Sequence, residues 1–158
     1  MVSGSYNNNM QLVQNEHYVM IMTEMVHHAR IIPFANTHEK AYPQWTGHSI
    51  ARWEGDTLII STQDFYPDYG WRNTSPQMKI EERINWIDDN TLNYEFTVDD
   101  RNTWEVPWSA RVPMRRMDDR IFEFACHEGN HGLAGILAGW RRWEMEGKNE
   151  GLIPSVDD

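Results

Sequence analysis

A mainly β chain, rolled into an antiparallel barrel and finished by a C-terminal α-helix, is the fold class this sequence predicts. Three observations carry the prediction. Apolar residues recur with period two through most of the chain, the spacing of a strand with one buried face. Clusters of Asp, Asn and Gly punctuate these runs at hairpin intervals. Only one stretch, near the C-terminus, changes to helical spacing. The 158 residues suit one domain spanning 1–158, with 146–158 as a flexible tail. Regularly spaced hairpins fit a closed or nearly closed barrel, or a sandwich. The barrel is preferred because closure removes exposed strand edges and leaves room for one ligand inside.

The elements follow in order. Gln11–Gln14 reads as a short strand, and Tyr18–Met25 and His28–Pro33 as two longer ones. Pro33 to Gly47, with prolines at both 33 and 43, reads as a loop. Ser49–Trp53, the turn Glu54-Gly55-Asp56 and Thr57–Ser61 form a hairpin. Asp64 to Gln77 is a second long loop, rich in aromatics and turn formers, and reads as a lid or as a surface excursion. Met78–Ile87 and Thr91–Asp99 flank the turn Asp88-Asp89-Asn90. In the second of these strands Leu92, Tyr94, Phe96 and Val98 point one way, and Asn93, Glu95 and Thr97 the other. Ser109–Met117, Asp118-Asp119 and Arg120–Cys126 read as a last hairpin. Gly132–Met145 then places Leu133, Ile136, Leu137 and Trp140 on one helical face.

Composition limits the function. The formal net charge is -10, which repels phosphate backbones and anionic membrane surfaces. The pairs Arg115-Arg116 and Arg141-Arg142 are too short for a nucleic-acid footprint. No apolar run approaches the roughly 20 residues that span a bilayer. A single cysteine, Cys126, excludes an internal disulfide, and its alternation with phenylalanines reads as a buried thiol. The N-terminal MVSGS has no apolar signal core, so a cytoplasmic protein is expected. If MVSGS is an appended remnant, the sequence leaves room for a leader removed ahead of it. There is no Gly-rich phosphate loop, serine elbow or paired-cysteine spacing, so no cofactor is expected. Eight Trp, six Tyr and five Phe fill a core or wall a pocket for a flat, apolar guest.

The segment FACHEGNHGLAG contains His127-Glu128-x-x-His131, the spelling of a zinc hydrolase. That chemistry needs a helix to bring two imidazoles to one ion. Gly129 and Asn130 are poor helix formers, and Phe122, Phe124 and Cys126 alternate as in a strand. His127 is therefore expected at a strand end, with no metal bound. A site of other geometry, drawing on His27 or His28, is the metal alternative. His127 can instead move protons near neutral pH, with Glu128 orienting it or capping the helix.

The second constellation is Glu24-Met-Val-His27-His28-Ala-Arg30. If Val26 to Arg30 is extended, His28 and Arg30 share a face and His27 shares the other with Ala29. Arg30 suits a carboxylate or a developing oxyanion, with histidine beside it as acid or base. A cross-strand ion pair with Glu24 explains the same residues structurally. Arg111 is a further internal cation or a surface charge. Tyr18, Trp53, Tyr94 and Trp108 are the expected pocket walls.

With YNNNMQLVQ (6–14), EMVHHARIIP (24–33), RWEGDTLIIST (52–62), the ER…DDNTLNYEFTVDD strand pair (82–100), TWEVPWSARVPMRR (103–116) and FACHEGNHGL (124–133), the chain resembles a broad bacterial family of β-rich, calycin-like proteins. The resemblance implies a calycin-like or lipocalin-like barrel. Many members carry a further N-terminal portion and a secretion leader. Members often read His-Asp-Ala-Arg where this chain has His27-His28-Ala29-Arg30, and Gly-Asn-Tyr-Gly where it has Gly129-Asn130-His131-Gly132. The departures make His28 and His131 particular to this chain, and a candidate acid–base pair if they lie close together.

The functional expectation is cofactor-independent lyase or isomerase chemistry (decarboxylation, dehydration or cyclisation) on a small apolar or aromatic molecule. His27 or His28 and His127 would move protons, Arg30 would hold an oxyanion and Glu128 would orient a histidine. His131 and Arg111 join the aromatic walls as substrate contacts. A lipocalin-like carrier without turnover and a metal-dependent hydrolase built on the His/Glu cluster are the alternatives. Barrels of this size often associate through apolar outer faces, so a homo-oligomer is compatible with the sequence.

Overall fold

A computed structural model describes residues 8–39, 42–67, 73–125, 127–129 and 131–148. The chain divides into two compact units, Met1–Glu123 and Phe124–Asp158. Among the described residues the first holds eight strands: β1 (Met10–Gln14), β2 (Tyr18–Thr23), β3 (Ala29–Pro33), β4 (His48–Glu54), β5 (Thr57–Gln63), β6 (Lys79–Asp88), β7 (Thr91–Asp99) and β8 (Trp108–Arg115). The second holds one helix, α1 (His131–Met145). It is not long and apolar enough to cross a membrane. The protein is mainly β, with antiparallel sheets and a C-terminal helix.

Four of the chain reversals have a visible local basis. Between β1 and β2, the Asn15 side-chain oxygen accepts from the backbone N–H of His17 (2.9 Å) and of Tyr18 (2.8 Å). Between β4 and β5, Gly55 takes φ +58°, which only glycine adopts without strain. Between β6 and β7, Asp88 accepts from Asn90 N–H at 2.8 Å. Between β2 and β3 the chain departs from expectation. β2 stops at Thr23, and Met25–His27 forms a 3-10 turn in which Val26 (φ 65°) and His27 (φ 41°) are left-handed. The extended run through Val26 does not form. Thr23 N–H bonds the His28 carbonyl instead, closing the turn.

The ladders form two sheets, with orders β1-β2-β3 and β4-β5-β6-β7-β8. A parallel bridge, Phe34 to Ala51, links β3 to β4, with Ala35 N–H on the Ala51 carbonyl at 3.0 Å. The outermost strands β1 and β8 share no ladder among the described residues, so the expected closed barrel is not found. The last expected hairpin is also absent. Residues 120–125 carry no strand, and Phe122 is 74% exposed. Alternation alone does not make a strand; the segment needs a partner edge to bury its apolar face. Cys126, the tail after 148 and residues 1–7 lie outside the described residues.

One apolar core draws on both sheets: Val19, Ile21 and Ile32 from the smaller, and Ala51, Leu58, Ile60, Ile84, Phe96 and Val98 from the larger. Each large side chain so buried contributes roughly 1.5–3 kcal/mol. In β5 the alternation breaks, because Leu58, Ile59 and Ile60 are all buried. Both faces of this strand are therefore covered. At the other end of the sheet, Asp100 accepts from Ser75 N–H and Oγ (2.6 and 2.7 Å) and from Thr103 Oγ1 (2.7 Å). This anchors the end of the second long loop to the turn after β7.

Gly47 enters β4 with φ +71°. A Cβ there would lie 2.6 Å from Thr62 Cγ2 and 2.9 Å from the Gln63 carbonyl oxygen. The Gly47→Ala substitution is expected to lower stability by about 2–4 kcal/mol, from left-handed strain plus overpacking. A urea-unfolding midpoint equal to that of the parent would refute this account of the loop's close approach.

Candidate functional site

Three arrangements in the first unit bring polar or ligand-facing groups together. The deepest is built on Arg30. From β3 it reaches across to β6, where Nη1 donates to Glu82 Oε1 (3.0 Å) and Nη2 to Oε2 (2.7 Å). Nη2 also donates to Ser49 Oγ (3.0 Å) and Thr62 Oγ1 (3.2 Å), which themselves bond at 2.8 Å. Tyr94 O–H donates to Glu82 Oε1 at 2.7 Å. Burial alone would push the Glu82 carboxyl up. The charge of Arg30 and the hydrogen bonds from Arg30 and Tyr94 prevail and hold it at about 2. Burial, then the carboxylate beside it, pushes the Tyr94 phenol up, so it stays a proton donor. An internal carboxylate thus occupies the place expected for a substrate carboxylate on Arg30.

The other expected site residues are dispersed. Tyr94 is the one that joins Arg30. His27 is exposed in the 3-10 turn, and His28 is half-buried, its buried Nδ1 having no hydrogen-bond partner among the described residues. Tyr18 is exposed at the start of β2. Trp108 packs edge-on against Phe96 and Trp104, with ring centroids 5.7 and 5.6 Å apart. Arg111 pairs with Glu95 on the exposed face of β8 at 3.0 Å. In the second unit, His127 and Glu128 are exposed in a turn and His131 is the first residue of α1. The helix that a His-Glu-x-x-His zinc site needs starts where the motif ends. Among the described residues no three His, Cys, Asp or Glu side chains cluster as metal ligands.

The second arrangement is a cleft of about 510 Å³ lined by both outermost strands. Met10 and Leu12 of β1 face Val112 and Met114 of β8 across it. Leu58, Ile84 and Leu92 form its floor, and Trp53 and Trp86, 49% and 57% exposed, stand on its walls. Asn85, Asp56 and Arg115 add polar groups. Of the expected wall residues, Trp53 is the one found here. A closed barrel would have a β1–β8 ladder in this place.

The third arrangement was not visible in the sequence. His38, in the loop before β4, places Nε2 3.1 Å from Ser61 Oγ and Nδ1 3.2 Å from His48 Nδ1. In the β4–β5 register Ile50 faces Ser61 and His48 faces Gln63, so His48 and Ser61 share one sheet face. Burial, then the neighbouring His48, holds the His38 imidazole below the ordinary histidine range; Asp64 opposes and Lys79 reinforces this. The three residues are spread over positions 38, 48 and 61 and match no motif. The alternation of β4 and β5 could have placed His48 and Ser61 on one face, but nothing in the sequence points an irregular loop at them.

The buried pair makes stability depend on pH. Glu82 is depressed from an ordinary value of 4.5 to about 2, so its contribution is complete above the unfolded value and is lost as pH falls towards 2. The loss is about 3 kcal/mol. Glu82→Gln is expected to be about 3–5 kcal/mol less stable at pH 7, because Arg30 is left buried without its counter-charge. Urea unfolding between pH 6 and 2 should give a flatter stability profile for this variant than for the parent; parallel profiles would show that Glu82 is not the group that titrates.

No protein-family model matches the chain, nor does any curated protein or any solved structure.

Proposed function

We propose that the protein binds one small, largely apolar or aromatic molecule in the cleft between β1 and β8, as a carrier does. The observation that carries this reading is the cleft itself. Its volume of about 510 Å³ is that of a small-molecule site, and its lining is more apolar than polar, with two tryptophans beside Asn8, Asn9, Asp56, Asn85, Arg115 and Arg116. Exposed tryptophan rings are costly to leave in water, and a flat guest would cover them. The strand order supports a companion proposal about the fold. Eight strands in sequence order, bridged at β3–β4, are the order that a calycin-like barrel would need, and the open β1–β8 edge would be its one unzipped seam.

The lyase or isomerase reading rests on one observation, the buried and unpartnered Nδ1 of His28. It needs a ligand-facing cation other than Arg30, whose Nη1 and Nη2 already donate to Glu82, Ser49 and Thr62. The carrier reading needs no such addition and is preferred.

Titration with the neutral probe N-phenyl-1-naphthylamine tests the cleft. A saturable fluorescence rise with one site per chain is expected. Trp86→Ala should weaken it about tenfold, or roughly 1.4 kcal/mol, without changing the unfolding midpoint, because Trp86 is largely exposed. Absence of saturable binding, or equal affinity in the variant, would remove the cleft from consideration.

A further inference from the structure

We propose that Ser61, His38 and His48 form a nucleophilic relay that cleaves small carboxylic esters on the face of the larger sheet away from the core. The inference is independent of the cleft. Its basis is the hydrogen-bonded chain Ser61 Oγ–His38 Nε2 (3.1 Å) and His38 Nδ1–His48 Nδ1 (3.2 Å). A nucleophile within reach of a base, with the base oriented by a third group, is the arrangement that activates a hydroxyl. The proton positions are mutually consistent. If His38 Nδ1–H donates to His48 Nδ1, then His38 Nε2 carries the lone pair and accepts the Ser61 proton.

The surroundings suit that role. All three side chains are half-buried, so a small ester can reach them. The titratable groups that act on His38 are His48, Asp64 and Lys79. Glu81, opposite Ser61 on β6, is held by Arg83 at 3.3 Å. A base kept below the ordinary histidine range is unprotonated at neutral pH. Lys79, on the same face as Glu81, supplies positive charge for a developing oxyanion.

The chemistry balances without a co-reactant other than water. Ser61 Oγ attacks the ester carbonyl carbon as His38 Nε2 takes the hydroxyl proton. The tetrahedral adduct collapses, the bond from carbon to the alcohol oxygen breaks, and the leaving oxygen takes the proton from His38. Water then attacks the acyl-serine, gives its proton to His38, and the acid leaves as Ser61 Oγ recovers that proton.

The full chain treated with diisopropyl fluorophosphate, followed by peptide mass mapping, provides the test. The expected result is one adduct, on Ser61. His38→Gln should slow labelling at least 100-fold, in the range that positioned bases supply. His48 is a positioning residue. His48→Gln should slow labelling less, about tenfold, and move the midpoint of the pH–rate profile upward, because the neighbour that depresses His38 is gone. A purely structural His48 would leave the midpoint unchanged. No adduct on Ser61 in the parent, or His38→Gln labelled at the parental rate, overturns the proposal. The mapping and pH profile of the parent decide the matter even if a variant fails to fold.

Discussion

The bidentate pair between Arg30 and Glu82 ties the two sheets together at their polar centre. Two charges taken out of water are expensive unless their geometry is good and the remaining donors and acceptors are satisfied. Here Ser49 and Thr62 accept from Nη2 beside Glu82, and Tyr94 donates to the carboxylate. The pair also specifies register. A one-residue slip of β6 would turn Glu82 to the opposite face and leave Arg30 in the core alone. Alternative pairings therefore carry a penalty that an all-aliphatic core would not impose. Tyr94 strengthens this constraint, since its phenol reaches the carboxylate only if β6 and β7 keep their register.

The same tie explains why the fold is joined on one side and open on the other. β3 carries Arg30 and is also the strand bridged to β4. The smaller sheet is thus held to the larger at its β3 edge by both backbone and side chains. No comparable bond spans β1 and β8 among the described residues. The apolar residues on the inner faces of these two strands line a cleft instead of a ladder. An unpaired edge is ordinarily a liability for aggregation. Here Gln11 and Gln14 on β1 and Arg111 and Arg115 on β8 give both outer strands polar side chains.

Period-two patterning made most strands legible. β4 to β7 lie within a residue or two of where alternation and turn residues put them, because both faces of the signal agreed. Local chemistry defeated the reading where it was silent. Val26 gives no hint of a positive φ, since β-branched residues avoid it, so the 3-10 turn that ends β2 at Thr23 and starts β3 at Ala29 is not legible in its detail. Residues 120–125 alternate well but lack a partner edge, a property of the assembled sheet and not of the segment. The site was less legible than the fold. Residue type singles out Arg30 as a holder of a carboxylate or as the partner of Glu24, yet its partner lies 52 positions away in a strand where Glu82 looks like one more polar residue. His38 and His48 escaped notice because a loop, not a motif, brings them together.

Strand alternation connects the buried pair to the relay on the opposite face. Thr62 and Ser61 are neighbours on β5, and Ser49 and His48 are neighbours on β4. Thr62 and Ser49 point inward, where they bond each other and Arg30. Ser61 and His48 point outward, to His38. Fixing the inward pair fixes the backbone from which the outward pair projects, because adjacent residues share one peptide plane. The spacing between Ser61 and His48 is thus set by a buried network that neither residue touches. Gly47 completes the arrangement, since its missing Cβ lets the chain before β4 come close to Thr62. A polar core that is costly as a stability device gains a second role, holding two strands rigidly enough for side chains on the far face to keep hydrogen-bond distance.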